Sequence, residues 1–360
     1  NLGTYTGLGH SRSLPIFRRS NTFQYIDNMT FTNGAHTLKF GGDFRRRQIT
    51  EYQTNRGNGR FNFGRGFTTD IGSGSATGNE LASFLLGYAA VIEQDFTLAW
   101  VGARGIESGL YFADDWRASR KLTLNVGMRW DYYSPFSEVA NRWANFDADT
   151  ATVKVAGRDG VDSRAGVKRD FGNWAPRFGF AYQLMNHTVV RGGFGLFYNP
   201  NGNGGALLRL QRHIPFGPIY NQTNPDTALG RRVSDGFPAA PEINFDSAKN
   251  PFGGVIGVFP GFKSAYAQQF NLGVQHEIAP WQMIVKASMV GNLGRRLGLS
   301  MDINQPLPGP GAVGPRRPFF AVRPALAGIS YAISDGLSSY VSGQLSVEKR
   351  MSKGLQVLFG

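Results

Sequence analysis

From Lys121 to Tyr133 hydrophobic and polar positions alternate without a break. Leu122, Leu124, Val126, Met128, Trp130 and Tyr132 fall on one side, and Lys121, Thr123, Asn125, Gly127, Arg129 and Asp131 on the other. Successive side chains of a strand point to opposite faces, so the spacing predicts a strand with one apolar and one polar face. The same period recurs over 36–47, where Leu38, Phe40 and Phe44 oppose Lys39, Asp43 and Arg45. Over 176–184 it sets Phe178, Phe180, Tyr182 and Leu184 against Arg177, Gly179, Ala181 and Gln183. Over 265–278 it sets Tyr266, Phe270, Leu272, Val274 and Ile278 against Gln269, Asn271, Gln275 and Glu277. Strands of soluble proteins average about 5–6 residues, whereas a tilted strand needs about 9–11 to cross a bilayer; these segments have the longer dimension.

The connections alternate as well. Short ones, at 33–34, 118–120, 185–187, 279–280 and 351–353, are separated by long stretches at 49–106, 134–173, 199–264 and 295–337 that hold most of the proline. Long loops without structure of their own are rare inside a compact soluble domain. In an outer-membrane barrel short periplasmic turns face long extracellular loops. Trp130, Tyr132, Tyr133, Phe197, Tyr198 and Tyr266 lie at long-loop ends, where rings form an outer aromatic girdle. One short helix is expected at 79–86, within a long loop. The fold class expected is all-β: an antiparallel transmembrane β-barrel, partial, built from about ten to twelve strand segments. A soluble sandwich or propeller also alternates, but a propeller needs short strands at even spacing and repeated blade motifs, which the sequence does not show.

Composition agrees. The 360 residues include 48 Gly, 28 Phe and 13 Tyr but no Cys. Glycine disfavours helices, and the lack of cysteine excludes a disulfide scaffold, a cysteine-ligated zinc site and thiol catalysis. The longest near-apolar run, 81–92, is too short for a membrane helix. The final segment, 354–360, ends inside a strand pattern, from which the chain is expected to be part of a longer barrel.

Little of the chemistry of catalysis is present. The five histidines, at 10, 36, 187, 213 and 276, lack metal-site spacing, and no Gly-x-Ser-x-Gly elbow occurs. The Gly-rich stretch 72–78 lacks the Gly-Lys-Ser/Thr of a phosphate cradle. Asp114 and Asp115 are neighbours on a strand and face opposite ways, so they do not share a site. Asp147 and Asp149 would face the same way and are a weak calcium candidate. The chain is expected to be no enzyme and to hold no cofactor or metal. Its 38 Lys+Arg against 25 Asp+Glu give a net charge of +13, with clusters at 45–47, 231–232, 295–296 and 316–317. These lie near strand ends or in loops instead of on one compact face, which argues against nucleic acid as partner. In an outer membrane they would meet lipid and anionic lipopolysaccharide, the favoured reading; the alternative is that Arg45, Arg129 and Arg177 on the polar faces steer an anionic ligand inward.

Taken together, Tyr111 to Arg117 and Leu122 to Tyr133 resemble a hairpin of TonB-dependent outer-membrane receptors, most closely the Oar-like branch abundant in Acidobacteria, whose members carry a carboxypeptidase-regulatory-like domain. His36 to Asp43, Ala82 to Gly87, Ala175 to Tyr182, Val190 to Tyr198, Gln268 to Gln275 and Asn304 to Pro306 resemble further segments of that family, in family order. The resemblance implies a barrel of about 22 strands around a plug, with uptake driven by the TonB energy-transducing complex. Residues 1–360 then correspond to a partial barrel domain, with the plug, regulatory domain and energy-coupling box absent from this chain.

The function expected is energy-coupled uptake of a large nutrient ligand: an iron chelate, cobalamin or an oligosaccharide. Lumen-facing Arg129, Asp131, Arg177, Gln183, Gln269, Asn271 and Gln275 are the candidate ligand-binding residues, and the outer membrane of a Gram-negative cell is the expected location. The alternative is a structural or adhesive surface barrel without active transport.

Overall fold

The computed structural model describes residues 2–9, 14–70, 77–158, 160–199, 206–224, 230–245, 254–352 and 354–360. His10, residues 72–76 of the Gly-rich stretch and Lys353 lie outside them. In chain order the strands are β1 (Ile16–Asn33), β2 (His36–Gln53), β3 (Arg60–Asn62), β4 (Val91–Asp95), β5 (Val101–Trp116), β6 (Leu122–Tyr133), β7 (Ser137–Glu138), β8 (Ala144–Asp147) and β9 (Thr152–Val155). They continue with β10 (Asn173–Met185), β11 (Thr188–Tyr198), β12 (Ile219–Thr223), β13 (Val255–Val258), β14 (Tyr266–Ile278), β15 (Met283–Asp302), β16 (Ile329–Ser352) and β17 (Leu355–Phe359).

Ten of these make one antiparallel wall in the order β1-β2-β5-β6-β10-β11-β14-β15-β16-β17. β13 adds in parallel to the upper part of β16, and β7 pairs with the upper part of β5. β1 and β17 are not paired with each other, so the wall is open. Its period-two pattern has a direct structural consequence. Phe31, Leu38, Asp114, Val126, Phe178, Phe194 and Phe270 are successive cross-strand partners and form one outward row. Met29, Phe40, Phe112 and Met128 form the next row up. Phe112, Phe178 and Leu345 stay about half exposed, at 50%, 47% and 54%. So much contiguous apolar surface is unfavourable in water and favourable against hydrocarbon, which makes this the lipid face of an outer-membrane barrel sheet.

All the tight connections between neighbouring strands of the wall fall at one end. β1 turns into β2 at Gly34, whose φ of +58° suits an unbranched backbone position, and β10 turns into β11 through 186–187. At the other end the strands outrun their expected lengths: β2 reaches Gln53, β15 reaches Asp302, and β16 begins at Ile329 inside the expected loop 295–337. The expected loops also carry structure of their own. β3, β4 and β12 form a small three-stranded sheet, and β8 and β9 a hairpin. The expected helix is α1 (Glu80–Leu85), started by Asn79, whose side chain accepts from the Leu81 and Ala82 backbone N–H groups.

The buried core lies in this extracellular cap. Ile49, Val101 and Ala103 at the top of the wall pack with Trp143, Leu207 and Leu210. A second cluster joins Phe146 and Val155 to Ile329 and Tyr331, and a third surrounds Phe63 and Ile92. Two girdle expectations are corrected by alternation. Tyr133 and Phe197 share the inward parity of Asp131 and Gly195, whereas Trp130, Tyr132, Tyr198 and Tyr266 face outward as expected.

Candidate functional site

The inner wall is built from the polar alternates. On β2, β5 and β6 they interlock. Lys39 Nζ lies 2.6 Å from Asp115 Oδ2, and Asn125 donates to the other Asp115 oxygen at 2.5 Å. Above them Arg129 donates through Nη2 to Asp43 and through Nε to Asp131, each at 2.7 Å. Higher still, Glu107 lies 2.9 Å from Arg47 and 3.8 Å from Arg45. At the rim the fully buried Glu51 side chain receives Arg18, Gln211 and Arg212, which ties the connection after β11 to the top of β2. Asp114 faces the other way and bonds His36 at 2.6 Å on the outer face.

This pairing changes what the inner wall can do. Arg129 and Asp131 hold each other together with Asp43, and Arg45 is spanned by Asp43 and Glu107, so these cations are neutralised by the wall itself. Arg177 is different. Its guanidinium lies 4.6 Å from the centre of the Phe197 ring, and it bonds no carboxylate among the described residues. The strand register places Gln269 in its cross-strand row, separated by Gly195. Asn271 reaches over Gly193 one row below. Between Arg129 and Arg177 a cavity of about 470 Å³ opens over Ala113, Gly127 and Gly179, three positions with little or no side chain. The arrangement offers a cation, an aromatic face and amide groups to a ligand passing along the wall.

The remaining candidates lie apart. Gln183 bonds the Asn186 carbonyl at 3.4 Å in the turn at the opposite end, and Gln275 pairs with Lys286 in the lower half of β14 and β15. Phe197, Asp43 and Glu107 were not among the sequence candidates; alternation puts Asp43 on the inner side, but their pairing depends on strand order, which a local pattern does not carry. The weak calcium candidate is occupied from within: Asp147 pairs with Lys154 and accepts the Asp149 N–H at 3.0 Å, closing the β8–β9 hairpin. Among the described residues no group of three or more His, Asp or Glu could hold a metal ion. Nor is any helix among them long and apolar enough to cross a membrane.

Comparison with known proteins adds the following. The outer membrane transporter YddB from Escherichia coli superposes with a TM-score of 0.49 at 13% identity, over 93% of this chain and 31% of that one. The copper transporter OprC gives a TM-score of 0.45 at 12% identity, over 94% and 36%. The siderophore receptor PirA from Acinetobacter baumannii gives 0.43 at 11%, over 93% and 35%. The chain thus spans about a third of the length of these structures. A search of curated proteins finds no match. The family model described as outer membrane beta barrel domain matches residues 1–360, and the chain belongs to that family and to the outer membrane.

Proposed function

We propose that this chain is the barrel portion of a TonB-dependent receptor of the Oar-like branch, which imports a large nutrient ligand without transforming it. The ligand is of the class of iron chelates, cobalamin or oligosaccharides. The observation that carries the reading is the inner wall: a polar surface on which Arg45 and Arg129 are neutralised in place, while Arg177, set on Phe197 beside Gln269 and Asn271, bonds no carboxylate among the described residues and is placed to meet a ligand. The open wall supports a further part of the reading. A sheet with two free edges leaves unpaired backbone groups in lipid, so additional strands complete the barrel, with a plug and regulatory domain in the rest of the protein. The energy-transducing complex engages that remaining part.

The test is accumulation of labelled ferric chelates, cobalamin and oligosaccharides by cells carrying the full-length protein, with and without a protonophore. Uptake of one class that stops when the proton gradient collapses supports transport. No gradient-dependent uptake of any class supports the structural or adhesive surface barrel instead. For an anionic ligand, Arg177→Gln lowers uptake by about tenfold, the scale of one lost charge-assisted contact.

A further inference from the structure

The Arg45-Arg46-Arg47 run divides between the two faces of the wall. Arg45 and Arg47 point inward to Glu107, while Arg46 pairs across with Phe23 and Ile106 on the lipid side. There it borders a groove of about 710 Å³ whose rim also carries Arg104 from β5 and Arg164 and Arg169 from the connection between β6 and β10. Arg46 and Arg169 make no ion pair or hydrogen bond among the described residues. Arg164 is paired with Asp162, yet its Nε–H is buried without an acceptor. Arg104 is steadied by the Ile49 and Ala103 carbonyls.

The height of this groove decides what can enter it. Along β2, Arg46 stands ten residues above His36, which stacks on Trp116 at the end with the tight turns. Ten residues at about 3.3 Å each, on strands tilted by about 40°, climb about 25 Å, the height of a barrel's apolar band. Arg46 therefore stands where the hydrocarbon ends on the extracellular side. Below it the outward rows read Tyr25, Phe44, Ser108 and Tyr132, then Asp27, Gly42, Leu110 and Trp130, then Met29, Phe40, Phe112 and Met128, apolar or aromatic at most positions. A ligand that matches both halves is anionic at the top and acylated beneath. Four guanidinium groups in one groove suit phosphate, whose oxygens accept their paired N–H donors.

We infer that this groove binds the phosphorylated, acylated glucosamine headgroup of outer-leaflet lipopolysaccharide, with its phosphates on Arg46, Arg104, Arg164 and Arg169. The inference rests on the outer-membrane location and is independent of whether the protein transports a ligand.

The test uses the full-length protein in detergent, with bound lipid counted by native mass spectrometry. The probes are bisphosphorylated lipid A, the same lipid with both phosphates removed, and phosphatidylglycerol. Bisphosphorylated lipid A should be retained over both others, and Arg46→Gln with Arg169→Gln should lower its retention by about tenfold or more, since each basic residue near such a surface contributes about 1 kcal/mol. Arg120→Gln, at the opposite rim, should leave retention unchanged. Should the double variant fail to insert, a salt series on the unaltered protein reads the same contacts, and retention falls as salt rises. Equal retention of the phosphate-free lipid, retention by the double variant within twofold of the unaltered protein, or no salt dependence would each overturn the inference. Inorganic phosphate that displaces the lipid supports a phosphate-reading site, whereas phosphatidylglycerol bound as well as lipid A shows only a general anionic-lipid surface and overturns it.

Discussion

Arg129 reaches both Asp43 and Asp131 because Gly109, which the register places between those two aspartates, has no side chain. A Cβ at position 109 would lie 2.0 Å from Arg129 Nη2 and 2.8 Å from Asp43 Oδ1, so any larger residue displaces the guanidinium. Asp131 is almost wholly buried, and an unpaired carboxylate there is costly. Arg129→Met is therefore expected to destabilise the folded wall by about 3 kcal/mol, in the range for breaking a buried pair. Gly109→Ala should cost a similar amount by evicting the same group. The two changes remove one interaction, so the double variant should cost no more than the larger single, as read by urea unfolding in bilayers. Additive losses would show that Gly109 serves some other end. The sequence makes the inward direction of Arg129, Asp131 and Arg177 legible, because alternation alone fixes a strand's faces. It leaves Asp43, 86 residues from Arg129, unidentified as the partner, since that pairing exists only once β5 lies between β2 and β6.

Among the elements, the connection after β11 is deeply seated in the cap. Leu207 and Leu210 fill the first core cluster, Arg212 and Gln211 bond Glu51, and His213 sits with Nε2 2.7 Å from the Ala144 carbonyl oxygen. Burial pushes the His213 pKa down to about 4, with the carbonyl bond opposing the shift. Released from the cap, the same imidazole titrates near its ordinary value of about 6.5. Between those values the released segment binds the proton and the docked one does not. Docking is therefore at full strength above about pH 6.5 and weakens as the pH falls toward 4, by about 3 kcal/mol in all. Hydrogen exchange over 206–217, corrected for intrinsic rate, should be faster at pH 5 than at pH 7.5, and His213→Gln should abolish that difference. Equal protection at both pH values would mean that this histidine does not govern docking. Of the cap, only the helix is legible beforehand: its short apolar run predicts it at 79–86, and the structure begins it at Glu80 behind the Asn79 cap. The sheet of β3, β4 and β12 joins three stretches distant in sequence, each too short to establish a period. The expected loops are therefore connections only in part: their ends continue the wall strands, and what lies between folds into a layer of its own.

For the whole molecule the decisive relation is between adjacent residues on opposite faces. Phe112 points outward between Phe40 and Met128, and Ala113 points inward between Lys39 and Gly127. In a wall with lipid on one side and a wet interior on the other, a charge at these two positions meets different solvents. Phe112→Arg places a guanidinium against hydrocarbon in the middle of the band and should cost about 2–4 kcal/mol of stability in a bilayer. Ala113→Arg places the same group beside the Lys39–Asp115 pair on the polar side, where water reaches it. Its cost should stay below about 1 kcal/mol, the ordinary size of a change at an exposed position together with a like-charge neighbour. A soluble sheet folded over its apolar face would also punish Phe112→Arg, but through packing. Phe112→Ala separates the two cases: in lipid, acyl chains fill the space and the loss remains small, whereas in a packed core it approaches about 3–5 kcal/mol. Reversible unfolding of the three variants in bilayers of one composition therefore reads the solvent on each side of the wall. A large loss at Phe112→Arg, with small losses at Phe112→Ala and Ala113→Arg, is the pattern that lipid outside and water inside require.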